Sequence, residues 1–346
     1  MPIPRRLLPI VIAIGIALVT IASCVDARAQ APRDARGFRN PDPIFERPSF
    51  WRWKWQELTG GVPTEPSGGW NIPSMRTDAA ALAGATAPAM TWIGHATVLV
   101  HIAGKNILFD PIFSDYVAPP FGPRRVPPLP IAIDELPTID VVMISHNHYD
   151  HLDEASVRRL ASRQQGGPIF LVPLGLKAWF LERGIERVQE FDWWQSTQQG
   201  PLKITFVPAN HWSRRTLTDT NETLWGGWVV EGDGLRLIHT GDTAWSPLFR
   251  EIGKRFGGFD MAFIPIGAYS PRWYMGYVHV DVVEAEEIRV DLNAKRAIGI
   301  HWGTYSPLAN EPLDEPPREL ARVRGALGLT PDQFDVMKIG ETRPLK

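Results

Sequence analysis

Short apolar blocks separated by glycine, proline and polar turns dominate the chain from about residue 87 onward. Alternation or brief apolar runs predict strands at Met90–Gly94, Val98–Ile102 and Ile107–Asp110, with Ala103-Gly104-Lys105-Asn106 as a hairpin turn. A proline-rich loop follows from Pro111 to Pro137. Ile139–Ser145, with the unbroken apolar centre Val141–Ile144, has the length of a buried strand. Asp153 is placed to cap a helix running to about Arg163. Further strands are expected at Ile169–Pro173, Lys203–Pro208, Thr223–Glu231, Leu235–Thr240, Asp260–Pro265 and Arg296–His301, and helices at Leu174–Arg183, Val280–Val290 and Pro317–Leu327. No fixed-period repeat is visible. The pattern reads as two sheet halves interleaved with helices around one core, a single α/β domain over residues 87–346.

Upstream the pattern changes twice. Arg5-Arg6, then an apolar run Leu7–Ala22, then small residues read as an export signal over residues 1–29, short for a spanning helix. Ile21-Ala22-Ser23-Cys24 resembles a bacterial lipobox, which would leave a lipidated Cys24; Ala27-Arg28-Ala29 is an alternative A-x-A cleavage site. An uncleaved membrane anchor is the third reading; every route places the body outside the cytoplasm, in the periplasm or anchored there, as a lipoprotein on the Cys24 route. Residues 30–86 form an arm rich in Pro, Gly and Arg. Within it Trp51-Arg52-Trp53-Lys54-Trp55 alternates indoles with cations, the pattern of an extended ribbon with three indoles on one side. Such a ribbon suits either a lipid interface or packing on the main domain.

Composition narrows the chemistry. The 346 residues are 44% hydrophobic and 21% charged, ordinary for a folded chain. Lys and Arg number 36 against 38 Asp and Glu, so no bulk positive field favours nucleic acid. A single Cys excludes an internal disulfide framework and any thiolate-rich zinc site. Histidines, carboxylates and hydroxyls are left to carry any reaction.

They cluster. His146-Asn147-His148-Tyr149-Asp150-His151 follows directly on the buried strand Ile139–Ser145. Residues two apart on extended chain face the same way, so His146 and His148 can grip one ion, while Asp150 and His151 come after a turn and can face a second. Buried bare, these groups would be costly; a metal removes that cost. Downstream, His211, Asp242 (after Gly241) and His301 each follow an expected strand, where functional side chains are commonly presented.

H-x-H-x-D-H, a lone His, a Gly-Asp and a final His resemble the ligand order of the metallo-β-lactamase superfamily. Thr91-Trp92-Ile93-Gly94-His95-Ala96-Thr97, Asp110-Pro111-Ile112-Phe113-Ser114, Asp192-Trp193-Trp194, Gly241-Asp242-Thr243-Ala244, Ile264-Pro265-Ile266-Gly267-Ala268-Tyr269 and Ile300-His301-Trp302-Gly303-Thr304 resemble landmarks of its N-acylphosphatidylethanolamine-hydrolysing phospholipase D branch. The resemblance implies a four-layer αββα sandwich holding two zinc ions: His146, His148 and His211 on the first, Asp150, His151 and His301 on the second, Asp242 bridging. The donor set also suits iron or manganese. It further implies a metal-bridging hydroxide as nucleophile, Asp150 orienting it or shuttling its proton, and a phospholipid substrate at a membrane surface cleaved to N-acylethanolamine and phosphatidic acid. Tyr149 and Tyr269 are expected at the head group and Arg272 at the phosphate; His279 is a further catalytic candidate. The family's Gln-His-Val-Asp-Pro run is here Val278-His279-Val280-Asp281-Val282, which puts substrate specificity in question. His95 and Asp110 are expected to hold ligand imidazoles, and His101 and His239 to be structural. Another dinuclear hydrolase, a lactonase or a different phosphodiesterase, is the alternative, and a homodimer is left open.

Overall fold

The computed structural model describes residues 30–41, 48–163 and 165–346; the expected export signal, with Cys24 and Ala27–Ala29, lies outside them. The first sheet is built from β1 (Ala89–Gly94), β2 (Thr97–Ile102), β3 (Lys105–Phe109), β4 (Val141–Met143), β5 (Ile169–Pro173) and β6 (Val188–Phe191). The second contains β7 (Ser196–Gln199), β8 (Leu202–Val207), β9 (Gly227–Gly232), β10 (Leu235–His239), β11 (Met261–Pro265), β12 (Ala297–Ile300) and β13 (Phe334–Val336). β14 (Thr342–Pro344) then returns to the first sheet beside β1, giving the orders β6-β5-β4-β3-β2-β1-β14 and β7-β8-β9-β10-β11-β12-β13. Each sheet begins with antiparallel neighbours and continues with parallel ones. The hairpin between β2 and β3 is tighter than the sequence predicts. Ile102 pairs with Lys105, and Ala103 and Gly104 both take positive φ (51° and 69°), the requirement of a two-residue type I′ turn.

Both faces of the first sheet are buried, and the period-2 rule sorts them. Val98, Val100, Ile102, Ile107, Phe109, Val141, Met143 and Leu171 point between the sheets to meet Ile204, Phe206, Trp228 and Leu237. Their neighbours Leu99, Leu108, Val142, Phe170 and Val172 point outward and pack with Val157 and Leu160 of the helix Glu154–Arg163. Across the second sheet, the helices Leu248–Phe256, Val282–Asp291 and Glu315–Leu327 bury Ile252, Ile288 and Leu320. The result is the expected αββα sandwich, each fully buried aliphatic contributing about 1.5–3 kcal/mol through the water it sheds.

Three expected elements differ. The strand placed at Thr223–Glu231 begins only at Gly227, because the Leu224 and Gly226 amides donate to the carbonyls of Leu174 (2.9 Å) and Ser145 (3.1 Å) instead of to a neighbouring strand. The helix placed at Leu174–Arg183 shortens to Lys177–Leu181. The Trp51–Trp55 segment is not a strand but the helix Phe50–Gln56, capped by the Ser49 hydroxyl, which accepts from the Arg52 amide.

Strand direction sets up the site. Within the first sheet β1, β3 and β4 run the same way; within the second β8, β10 and β12 do. The loops after β1, β4, β8, β10 and β12 carry His95, the His146–His151 segment, His211, Asp242 and His301, and they meet at one rim of the sandwich.

Candidate metal centre

The rim is organised around one oxygen. Asp242 Oδ2 lies 3.0 Å from His151 Nε2, 3.1 Å from His301 Nε2, 3.9 Å from His211 Nε2 and His279 Nδ1, and 4.0 Å from His146 Nε2. Gly241 makes this placement possible: its φ is +63°, and a Cβ there would sit 2.5 Å from the Gly226 carbonyl oxygen. On one side of Asp242, His146 Nε2 is 2.8 Å and His211 Nε2 3.2 Å from His148 Nδ1, a three-imidazole claw. On the other, Asp150 Oδ2 lies 3.6 Å from His151 Nε2, 3.4 Å from His301 Nε2 and 3.0 Å from His95 Nε2. The seven ligand candidates thus come together as two groups joined through Asp242, with His95 and His279 at the periphery.

Partners behind the cluster aim each ring. Asp110 accepts from the Ser145 amide and hydroxyl (2.7 Å each) and lies 2.8 Å from His151 Nδ1. Ser145 Oγ is 2.9 Å from His146 Nδ1, and the Val278 carbonyl is 3.0 Å from His211 Nδ1. These contacts leave the Nε2 atoms of all three imidazoles facing inward, the usual arrangement around a ligated metal. His95 does not steady an imidazole by hydrogen bonding; it holds the Asp150 carboxylate, with its ring 4.0 Å from that of His301. His239 stacks on Phe109 and reaches the Ala96 carbonyl, and His101 pairs with Asn106, both apart from the cluster.

The donor set fits a metal. His148 Nε2, His151 Nε2, His279 Nδ1 and both ring nitrogens of His301 are buried without an aligned hydrogen bond. Such atoms cost about 1–3 kcal/mol each when left bare, a penalty that a coordinated cation relieves. Charge follows the same logic. Burial and neighbouring imidazoles hold His146 well below the usual histidine range; burial holds His148 and His279 down to about 4 and His95 to about 3. Burial opposes charge on His151 and His301 as well, but Asp242 and Asp150 outweigh it, raising His151 well above its usual value and His301 to about 9. Against their own burial, the surrounding imidazoles keep Asp150 and Asp242 well below the ordinary carboxylate range. Ionised carboxylates beside mostly neutral imidazoles are the protonation state that metal binding requires.

The cluster forms the floor of a cavity of about 870 Å³. His148, Asp150, Asp242, His279 and His301 open into it, and Trp212, Tyr274, Met275, Tyr277, Val278 and Leu308 wall it. Phe50, Trp51 and Trp53 of the N-terminal helix complete that wall.

The beta-lactamase superfamily domain is matched over residues 105–302. Over 264 residues the chain is 39% identical to N-acyl-phosphatidylethanolamine-hydrolyzing phospholipase D 1 of Caenorhabditis elegans, covering 72% of this chain and 74% of that protein. The chain belongs to the N-acylphosphatidylethanolamine-hydrolysing phospholipase D family of the metallo-β-lactamase superfamily. It is 36% identical over 238 residues to the mitochondrial relative of the same name from Saccharomyces cerevisiae, covering 66% of this chain and 50% of that one. The chain therefore spans three quarters of the nematode phospholipase and half of the yeast one. Igni18, a metallo hydrolase from Ignicoccus hospitalis, shares the fold, with a TM-score of 0.57 and 21% identity over 75% of this chain and 98% of that one. As a member of this phospholipase D family, the protein is a metal-dependent hydrolase.

Of the residues expected to meet substrate, Tyr149 lines the cavity, its hydroxyl donating to the Arg215 carbonyl (3.0 Å). Tyr269 turns away: its phenol donates to Glu315 (2.6 Å), and burial beside that carboxylate raises its pKa. Arg272 is also off the cavity wall, paired with Glu284 (2.7 Å) and donating to the His279 carbonyl (2.7 Å), so it steadies the His279 loop. Sequence reasoning missed four contributors. Asn40 of the arm accepts from the His211 amide (2.9 Å), Thr304 accepts from the His95 amide (2.7 Å), and Arg214 and Arg215 face the cavity. The Arg214-Arg215 pair sits three and four residues after His211, the one sequence signal that pointed there.

Proposed function

We propose that the protein is an exported, zinc-dependent phosphodiesterase of phospholipase D type, cleaving N-acylphosphatidylethanolamine to N-acylethanolamine and phosphatidic acid at a membrane surface. The observation that carries this reading is the ligand cluster lying at the floor of a large, mostly apolar cavity. His146, His148 and His211 would hold one zinc ion, Asp150, His151 and His301 the other, with Asp242 shared. When bound, such a pair supplies Lewis acidity that activates water at neutral pH and takes up charge growing on a phosphoryl group.

The chain's own groups position the reaction. Asp150 Oδ2, fixed by His95 at 3.0 Å, is held to orient the attacking water. His279 opens into the cavity 3.9 Å from Asp242; burial keeps it neutral at pH 7, so it serves as a hydrogen-bonding partner for the scissile group. The cavity mouth supports a lipid substrate. Trp51 is 79% exposed and Leu217 89% exposed, and both line the cavity, so an apolar rim continues directly into the binding space.

Metal-loaded protein offered N-acylphosphatidylethanolamine vesicles, a lactone and a cephalosporin in ¹⁸O-water, with products read by mass spectrometry, tests this reading. Phosphatidic acid carrying one ¹⁸O beside unlabelled N-acylethanolamine is expected. Turnover of the lactone or cephalosporin alone would assign the alternative hydrolase chemistry instead.

A further inference from the structure

Two arginines stand on the cavity wall, and the fold treats them differently. Arg215 is anchored through one guanidinium nitrogen and two aromatic rings. Its Nη1 donates to the carbonyls of Asn147 (2.9 Å) and Leu152 (2.7 Å), and its guanidinium lies 4.0 Å above the Tyr149 ring and 5.3 Å from Trp179. It braces the His146–His151 loop from behind. Arg214 is held at its backbone amide and at Nε alone. Its amide donates to Asn147 Oδ1 (2.8 Å), holding its Cα beside the same loop, and its Nε donates to the Thr216 carbonyl (3.0 Å). Among the described residues no carboxylate lies within ion-pairing distance of it, and its Nη1 and Nη2 donate to no protein acceptor. Arg272, the cation that the sequence suggested for phosphate, is neutralised by Glu284 and lies off the wall.

A half-buried guanidinium with its two outer nitrogens unspent, in the cavity that the ligand carboxylates and imidazoles floor, matches the paired oxygens of an oxyanion. We infer that Arg214 receives the anionic phosphoryl oxygens of the substrate through its free Nη groups, and so selects phosphodiesters over neutral esters and lactones. This rests on the phosphodiesterase reading for the identity of the anion.

Zinc-loaded wild type, R214K and R214Q are titrated with dihexanoyl phosphatidic acid, and their kinetics on N-acylphosphatidylethanolamine are measured alongside. Because the bond from the Arg214 amide to Asn147 survives substitution, zinc content and thermal midpoint stay at the wild-type level. R214Q binds the phosphatidate about ten-fold or more weakly, as loss of a charged hydrogen bond implies, and its KM rises in step; R214K falls between, keeping the charge without the fork. Equal affinity in wild type and R214Q, or loss of zinc from R214Q, overturns the assignment. Phosphatidate binding that depends on Arg214 in a wild type unable to cleave the phospholipid leaves the anion site standing and removes the phosphodiesterase reading instead.

Discussion

Asp242 is the residue on which the site turns, since one of its oxygens faces five imidazoles within 4.0 Å. Asp242→Asn and His148→Ala are expected to lose bound metal and at least about a hundred-fold in turnover while far-ultraviolet circular dichroism stays native, because neither side chain belongs to the apolar core. Asp150→Asn is expected to abolish turnover with the fold intact. Asp110→Asn is milder, since Asp110 acts through His151; a 10–100-fold loss of metal affinity is expected, checked by competition with a chelating dye. Protonation supplies a separate prediction. His301 is held at about 9, above the value of about 6.5 for a free imidazole. Its charge therefore stabilises the metal-free protein below about pH 6.5, and that contribution fades as pH rises through about 9. A metal replaces that proton, so affinity should climb between about pH 6.5 and 9, with proton release on uptake at pH 7. Calorimetry in buffers of different ionisation enthalpy measures the release; pH-independent binding without it would contradict the assignment of His301 as a ligand.

Elements show where sequence reasoning succeeds and where tertiary contacts override it. The ligand-bearing loops were legible because each follows a strand whose apolar run is unmistakable: Val141–Met143 before His146, Leu235–His239 before Asp242, Ala297–Ile300 before His301. Gly241 is the part of that design most sensitive to change. Gly241→Ala should destabilise the fold by more than about 1 kcal/mol, because its Cβ would collide with the Gly226 carbonyl and Ser145; thermal melting checks it. The aromatic segment misled because alternation of Trp and cation mimics a strand. On the helix that forms, Trp51 and Trp55 share the exposed face and Trp53 points the other way. Trp53 stacks on Tyr274 at 4.5 Å and donates to Asn310 Oδ1 (2.9 Å), while Trp273 donates to Gln56 (3.1 Å), contacts that no local pattern reveals. Trp53→Ala should loosen the helix by about 1–3 kcal/mol, the sum of one aromatic pair and one hydrogen bond. Limited proteolysis between Phe50 and Gly61 and a raised KM report it; unchanged cleavage and KM would mean that the helix has no part in the cavity.

At the scale of the whole molecule, two sheets of like construction, antiparallel then parallel, bring the ends of co-directional strands to a single rim. Parallel and antiparallel pairing fixes which strand ends coincide, and that is why ligand candidates spread from residue 146 to residue 301 converge. The arm is part of the same architecture: Asn40 reaches the ligand candidate His211, and Phe50, Trp51 and Trp53 wall the cavity. Long-range bonds of this kind, 171 residues apart for Asn40 and His211, carry no signature in a local stretch of sequence. The exposed Trp51 and Leu217 at the cavity rim give the membrane proposal its own check. Replacing Trp51 and Leu217 together by Ser should weaken sedimentation with phospholipid vesicles several-fold while leaving zinc content unchanged; equal sedimentation would remove the rim from the account.

In the proposed reading, these seven side chains hold the cations on which hydrolysis depends. Elemental analysis of chelator-stripped protein, titrated back with zinc while N-acylphosphatidylethanolamine cleavage is followed, tests it most directly. The stripped protein is expected to be inactive and to recover activity that saturates at two zinc ions per chain, while Asp242→Asn regains neither activity nor zinc. Full cleavage by protein free of transition metal would contradict that reading.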